Sequence, residues 1–99
     1  MKNITQVEWK ALLENNDNAV IIDCRTPDEW RDGIIENAIL MNINDPQSFM
    51  DGVNNLDKDK NYFVYCRSGT RSVQACQVLE SIGIKSTYNL LGGILEWNK

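Results

Sequence analysis

One cysteine, in the segment YFVYCRSGTRS (residues 62–72), has the surroundings of a nucleophile. Four apolar or aromatic residues precede Cys66, as in a buried strand, and a basic loop follows it. Gly69 permits backbone angles that other residues avoid, so the loop amides can converge on the sulfur as an anion-binding nest. The start of the next helix adds unpaired N–H groups, and Arg67 and Arg71 add formal charge. We expect these features to lower the pKa of the Cys66 thiol from about 8.5 into the range of about 3.5 to 7.5.

The absence of histidine narrows the chemistry further. Every arrangement in which imidazole activates a cysteine or serine is excluded, so a Cys66 thiolate must form without a general base. The three cysteines, Cys24, Cys66 and Cys76, lack the short spacing of paired metal ligands, and structural zinc requires four Cys or His ligands. We therefore expect no metal and no organic cofactor.

Composition argues against polyanionic partners. The chain has 14 acidic and 10 basic side chains and a net charge of −4, which does not suit nucleic acid or an anionic membrane. The N-terminus lacks the apolar core of a signal peptide, and no apolar run approaches the roughly 20 residues of a membrane span. We expect a cytoplasmic chain whose 99 residues form a single domain, 1–99.

Strand patterns alternate with helix patterns along the sequence. Short apolar segments rich in β-branched or aromatic residues predict the strands, and capping residues followed by apolar spacing predict the helices. This alternation predicts an α/β fold with a largely parallel sheet. The predicted strands are 19–23, 38–43, 62–65 and one near 87–91; the predicted helices begin at Thr5, Thr26, Asp45 and Thr70, and a helical turn containing Trp97 ends the chain.

Loops that follow parallel strands share one edge of the sheet, which is the usual ligand site of such folds. Cys24 follows the 19–23 strand and so opens on the same edge as Cys66. We favour a packing role for Cys24 over that of a resolving thiol that attacks a Cys66 persulfide. Cys76 lies in an apolar helical stripe and is expected to be structural. For Asp23 and Arg25 we favour an ion pair that ties the strand end to neighbouring loops over ligand binding.

Three segments together resemble the rhodanese-like domain family, the sulfurtransferases, along essentially the whole chain. They are VIIDCRTPDEWRDG, CRSGTRS and LLGGILEW, in this order. The resemblance implies a three-layer α/β/α fold with a central, mostly parallel sheet. It also implies a single-domain sulfurtransferase in which Cys66 takes sulfur from a donor such as thiosulfate, holds it as a persulfide, and passes it to a thiol or cyanide. The loop expected to bind the sulfur anion comprises Arg67, Ser68, Gly69, Thr70, Arg71 and Ser72.

Several alternatives stay open on sequence alone. A phosphatase or arsenate reductase on this scaffold is disfavoured, because only four residues, 67–70, separate Cys66 from Arg71, whereas the related phosphatase-like branch of the same fold has a longer loop with five. A protein sulfur relay fed by a cysteine desulfurase would use the same Cys66 chemistry. A non-catalytic interaction module usually lacks the cysteine. The family's usual histidine and Pro-Gly-like turn is absent here, where the chain reads GIIENAI, and this departure concerns the rim of the site.

Overall fold

A five-stranded, entirely parallel sheet forms the centre of the computed structural model, which describes residues 1–97. The strands lie in the order β1-β5-β4-β2-β3. The predicted α/β fold is confirmed. The strands are β1 (Lys2–Ile4), β2 (Ala19–Asp23), β3 (Ile39–Leu40), β4 (Asn61–Tyr65) and β5 (Ser86–Leu90); the helices are α1 (Gln6–Glu14), α2 (Pro27–Trp30), α3 (Pro46–Asn54), α4 (Arg71–Ser81) and a terminal 3₁₀ helix (Gly93–Glu96).

Two apolar cores cover the two faces of the sheet, which gives the expected three layers. On one face, strand residues such as Ile22 and Val64 pack with α3 and α4; on the other, Phe63 packs with Trp9 of α1. Alternate residues of β4 thus point to opposite cores, as the twofold repeat of a strand requires. No helix of residues 1–97 is long and apolar enough to cross a membrane.

Side-chain caps fix where the helices begin. Thr5 and Glu8 form a reciprocal capping box at α1, with the Glu8 amide donating to Thr5 Oγ1 (3.2 Å) and the Thr5 amide to Glu8 Oε1 (3.1 Å). At α2, the Thr26 amide donates to Glu29 Oε1 (3.3 Å). Each of these starts agrees with the position predicted from the sequence.

Other elements differ from the sequence prediction. The sequence pattern does not reveal β1, because it is a short edge strand with only Ile4 buried. The predicted 38–43 strand shrinks to Ile39–Leu40, which pairs only with β2 and exposes both side chains. The terminal turn is a 3₁₀ helix that ends before Trp97.

The parallel register places the ends of β2 and β4, which carry the candidate functional residues, side by side at one edge of the sheet. Asp23 of β2 pairs with Tyr65 of β4, and the Cys24 amide donates to the Tyr65 carbonyl (3.1 Å). Cys24 and Cys66 therefore leave the sheet side by side at the carboxyl ends of neighbouring strands.

Candidate active site

The Cys66 sulfur lies between the end of β4 and the start of α4, and only 1% of the residue is exposed. The Gly69 amide donates to Sγ (3.1 Å), and the Ser72 hydroxyl oxygen lies 3.3 Å from it. The Ser72 amide, one of the unpaired N–H groups at the start of α4, also favours the charged form of the sulfur. Amide donors therefore converge on the side chain from the loop and from the helix.

These contacts lower the pKa of the Cys66 thiol to about 4. The largest cause is a hydrogen bond from the Cys24 thiol; burial opposes the shift, and the Ser72 hydroxyl and the amides of Ser72 and Gly69 add to it. Each donor favours the charged form because it places a positive hydrogen against the sulfur. The thiolate therefore predominates near neutral pH without a histidine.

The loop needs glycine at position 69. Its φ is +100°, in the left-handed region, and an added Cβ would lie 3.3 Å from the carbonyl oxygen of Leu90. This conformation turns the Gly69 amide toward the sulfur. The sequence analysis predicts this loop from the same property of Gly69, its access to backbone angles that other residues avoid.

Backbone amides of the 3₁₀ helix hydrogen-bond to carbonyl oxygens of the cysteine loop and hold these oxygens away from the thiolate. The Ile94 amide donates to the Cys66 carbonyl (3.0 Å) and the Leu95 amide to the Arg67 carbonyl (3.1 Å). A Cβ on Gly93 would lie 2.4 Å from the Arg67 oxygen, so the two backbones approach closely only because this residue is glycine. The Gly92–Gly93 pair thus allows the 3₁₀ helix to pack closely against the backbone of the cysteine loop.

The two arginines of the loop have different surroundings. Arg71 forms a two-point ion pair with Glu29 of α2, whereas Arg67 is exposed and pairs with no acidic side chain of residues 1–97. The formal charge that Arg71 is expected from the sequence to add to the loop is largely neutralised by Glu29. Ser68 and Thr70 are exposed on the same loop.

Asp23 and Arg25 form the ion pair expected from the sequence. Arg25 Nη2 lies 2.7 Å from Asp23 Oδ2 and also donates to the Gly33 carbonyl (2.7 Å). Tyr65 Oη donates to Asp23 (2.6 Å) and accepts from the Ile35 amide (2.9 Å). This buried network ties the end of β2 to the segment after α2. It shapes the rim of the site and does not contact the Cys66 sulfur.

The remaining cysteines lie in the same core as Cys66 but in different surroundings. Cys24 is fully buried, and its thiol donates to the Tyr65 carbonyl oxygen (3.4 Å). It also neighbours the Cys66 sulfur, and each thiol shifts the pKa of the other. Cys76 lies on α4, 3.9 Å from the Tyr88 carbonyl, and burial raises the pKa of its thiol to about 12. Cys76 is thus a packed, unreactive thiol.

Sequence reasoning missed Asn89, a buried residue of β5 that organises the loop. Asn89 Oδ1 accepts a short hydrogen bond from the Ser72 hydroxyl, and Nδ2 donates to Asn3 Oδ1 (2.9 Å) and to the Gly69 carbonyl (3.3 Å). The Ser72 hydroxyl has a single proton, so Asn89 and the Cys66 thiolate compete for it. An asparagine inside the otherwise apolar strand pattern TYNLL was the available signal, since buried polar side chains need partners.

An open depression of about 360 Å³ adjoins the loop. Arg67 and Leu95 line it together with the acidic Glu29 and Asp32. A larger depression of about 470 Å³ lies beside α1, where Leu13 and Trp97 line it, and it includes no residue of the cysteine loop. Cys66 lines neither depression, and the smaller one borders the loop through Arg67.

Comparison with known proteins agrees with this geometry. Residues 5–99 match the sequence profile of the rhodanese-like domain. A rhodanese-like domain protein from Staphylococcus aureus superposes with a TM-score of 0.85 and 33% identity, covering 100% of this chain and 93% of that one. YtwF of Bacillus subtilis is 35% identical, covering 98% of this chain and 90% of its own length. A protein named sulfurtransferase from Allochromatium vinosum is also 35% identical, with coverages of 95% and 88%. The chain belongs to the rhodanese-like domain family.

Proposed function

We propose that this protein, acting as one domain over residues 1–99, is a sulfurtransferase that carries sulfane sulfur as a persulfide on Cys66. The observation that carries the proposal is the set of polar groups around a buried sulfur: the Gly69 amide at 3.1 Å and the Ser72 hydroxyl at 3.3 Å, which with the neighbouring Cys24 thiol and Ser72 amide lower the pKa of Cys66. Such a site makes a thiolate that is nucleophilic near neutral pH. A persulfide anion, with charge of the same sign, benefits from the same donors.

The first half-reaction needs no proton transfer. The Cys66 thiolate attacks the outer sulfur of thiosulfate, a new S–S bond forms, and sulfite leaves with the electron pair of the broken bond. Exposed Arg67 beside the loop attracts the dianionic donor and the leaving sulfite. The lack of histidine fits this step, because neither nucleophile nor leaving group requires a general acid or base.

The second half-reaction returns the enzyme to its starting state. A thiolate or cyanide attacks the outer sulfur of the persulfide, and Cys66 leaves as a thiolate. The lowered pKa of Cys66 makes it a good leaving group. The donors that stabilise the resting thiolate therefore assist sulfur release as well.

Intact-mass spectrometry tests the proposal. The protein incubated with thiosulfate is expected to gain one sulfur atom and to lose it, as thiocyanate, when cyanide is added. The Cys66→Ser variant is expected to gain none, whereas Cys76→Ala is expected to behave as the parent. A chain that takes up no sulfur from thiosulfate or from a small persulfide would indicate the interaction module. Hydrolysis of an aryl phosphate without sulfur uptake would instead indicate the phosphatase.

A sulfur relay between proteins is favoured as a second candidate by the apolar rim. Leu91 and Leu95 are 46% and 43% exposed on either side of the Gly-Gly pair that supports the cysteine loop. Exposed leucines beside a reactive loop suit contact with another protein, such as a cysteine desulfurase. We expect Leu91→Ser, at a position outside the depression that Arg67 lines, to slow persulfide transfer from a desulfurase and to leave thiosulfate uptake unchanged. The matched control is Leu12→Ser, on the distant helix α1 with similar exposure. Equal slowing in both variants would contradict the relay.

A further inference from the structure

Two thiols lie next to each other across the β2–β4 pair. Asp23 and Tyr65 are the last paired residues, and the ladder continues through the hydrogen bond from the Cys24 amide to the Tyr65 carbonyl. Residues in register on parallel neighbours have Cα atoms about 4.8 Å apart, within the range of about 4.4 to 6.8 Å that a disulfide spans. Cys24 and Cys66 directly follow this last pair, so the backbone brings them out of the sheet as neighbours.

Both side chains also point to the same face. Cys24 and Cys66 share one core with Ile22 and Val64, while Tyr65 lies in the opposite core. The Cys24 thiol donates to the Tyr65 carbonyl oxygen (3.4 Å) and lies close enough to the Cys66 sulfur for each thiol to shift the pKa of the other. Cys24 approaches the Cys66 sulfur from the side of the strands, whereas the Gly69 amide approaches it from the loop.

The charge on Cys66 controls whether Cys24 can react. In the resting thiolate, the hydrogen bond to Cys66, burial and repulsion between the sulfurs raise the pKa of Cys24 well above its ordinary value, so Cys24 stays protonated. In the persulfide, the negative charge moves outward by one S–S bond, about 2 Å. The Cys66 sulfur then becomes an electrophile that faces a neighbouring thiol.

We propose a second activity, in which Cys24 attacks the Cys66 persulfide and the chain releases its sulfane sulfur as sulfide. The Cys24 sulfur bonds to Cys66 Sγ, the bond from Sγ to the outer sulfur breaks, and the outer sulfur leaves as HS⁻ with the electron pair and the Cys24 proton. The two cysteines are oxidised to a disulfide and the sulfane sulfur is reduced, so no external oxidant enters. Two equivalents of a small thiol then reduce the disulfide and restore both side chains.

This second activity rests on the proposed function, because it requires the Cys66 persulfide. It releases the outer sulfur as sulfide when no acceptor is bound. Because Cys24 must give up its proton, discharge is slow at neutral pH and accelerates as pH rises. Cys76 shares the same core but hydrogen-bonds to Tyr88, so it takes no part.

The test loads the full chain with a small persulfide donor, removes excess donor, and follows intact mass under non-reducing conditions together with free sulfide. In the parent, loss of the added sulfur is expected to leave a chain two hydrogens lighter than the reduced form, with one sulfide released per chain and a Cys24–Cys66 peptide after digestion. Cys24→Ser keeps a hydroxyl donor beside Cys66 but no second sulfur. Because this substitution changes a neighbour of the Cys66 sulfur, its rate of persulfide formation is not compared with that of the parent; once loaded with sulfur, the variant is expected to discharge it at least tenfold more slowly than the loaded parent. Cys76→Ala is expected to discharge as the parent does.

The outcomes separate the two proposals. Persulfide formation followed by equal loss of sulfur from the parent and Cys24→Ser, or a disulfide that involves Cys76, would overturn sulfide release while leaving the sulfurtransferase intact. Failure of every variant that retains Cys66 to take up sulfur would overturn both.

Discussion

The guanidinium of Arg71 forms a two-point ion pair with the carboxylate of Glu29, with Nη1–Oε1 at 2.7 Å and Nη2–Oε2 at 2.9 Å. This pair joins the first residue of α4 to the capping-box residue of α2, so it fixes the cysteine loop against the neighbouring loop. Each side chain is about a quarter exposed. The loop therefore uses one of its arginines as a structural link and presents the other, Arg67, to solvent.

Glu29→Gln is expected to remove a pH-dependent part of the stability. Arg71 lowers the pKa of Glu29 to about 2, so the pair contributes fully above the unfolded pKa, near 4.3, and its contribution is lost as pH falls toward 2. At neutral pH the loss is about 1 to 3 kcal/mol, because each unit of pKa shift is worth about 1.4 kcal/mol and partial exposure screens the pair. The measurement is urea unfolding at a series of pH values.

Glu8→Gln is the matched control for that experiment, because Glu8 fills the same capping-box position on α1 and ion-pairs with no basic side chain of residues 1–97. Glutamine keeps a capping box in both variants. Equal loss of stability in the two variants at neutral pH would contradict the importance of the Arg71–Glu29 link.

Gly69→Ala is expected to raise the pKa of Cys66. Relief of the strain at φ +100° and of the contact with the Leu90 carbonyl requires the loop to shift, which moves the Gly69 amide away from the sulfur. Gly33→Ala carries a similar backbone cost at φ +117°, with nothing within 4 Å of the added Cβ. Both variants should lose about 1 to 2 kcal/mol of stability, but only Gly69→Ala should shift the pH profile of Cys66 alkylation. A shift in both would mean that the profile follows global stability.

Ser72→Ala is expected to raise the pKa of Cys66 by about half a unit to one unit. A hydrogen bond to a charged group contributes about 1.5 to 3 kcal/mol, and here Asn89 holds the Ser72 proton for part of the time, which reduces the effect. Thr87→Val removes an equally buried hydroxyl from β5, where it contacts Glu80 instead of the site. The thiolate absorbance of the two variants, titrated in parallel, distinguishes a local effect from a general one.

Local sequence signals revealed the elements whose formation depends on near neighbours. The β-branched run 19–23 and the capping pairs Thr5–Glu8 and Thr26–Glu29 act within a few residues, and the structure confirms them. The α1 helix begins where predicted but packs through Trp9, leaving Val7 and Leu12 exposed. Which side of a helix is buried depends on the sheet beneath it, and the sequence of the helix alone does not contain that information.

The same limit applies to the site. The cysteine loop could be predicted because its glycine, arginines and helix start are contiguous. Asn89 reaches the loop only because β5 pairs with β4, placing it opposite Val64, and Glu29 reaches Arg71 from a helix more than forty residues earlier. Where the family usually has a histidine and a Pro-Gly-like turn, Asn37 of this chain adopts φ +70°, a left-handed conformation that asparagine tolerates. The turn is thus made with a different residue type.

The most direct measurement is the pKa of Cys66, obtained from the pH dependence of its alkylation and of thiolate absorbance, with Cys66→Ser as the blank. The interaction with Cys66 and burial raise the pKa of Cys24, and burial raises that of Cys76, so one thiol should titrate across the acidic and neutral range. We expect a half-point near pH 4 and reactivity that stays level above about pH 6. A half-point near the ordinary thiol value of about 8.5 would contradict it.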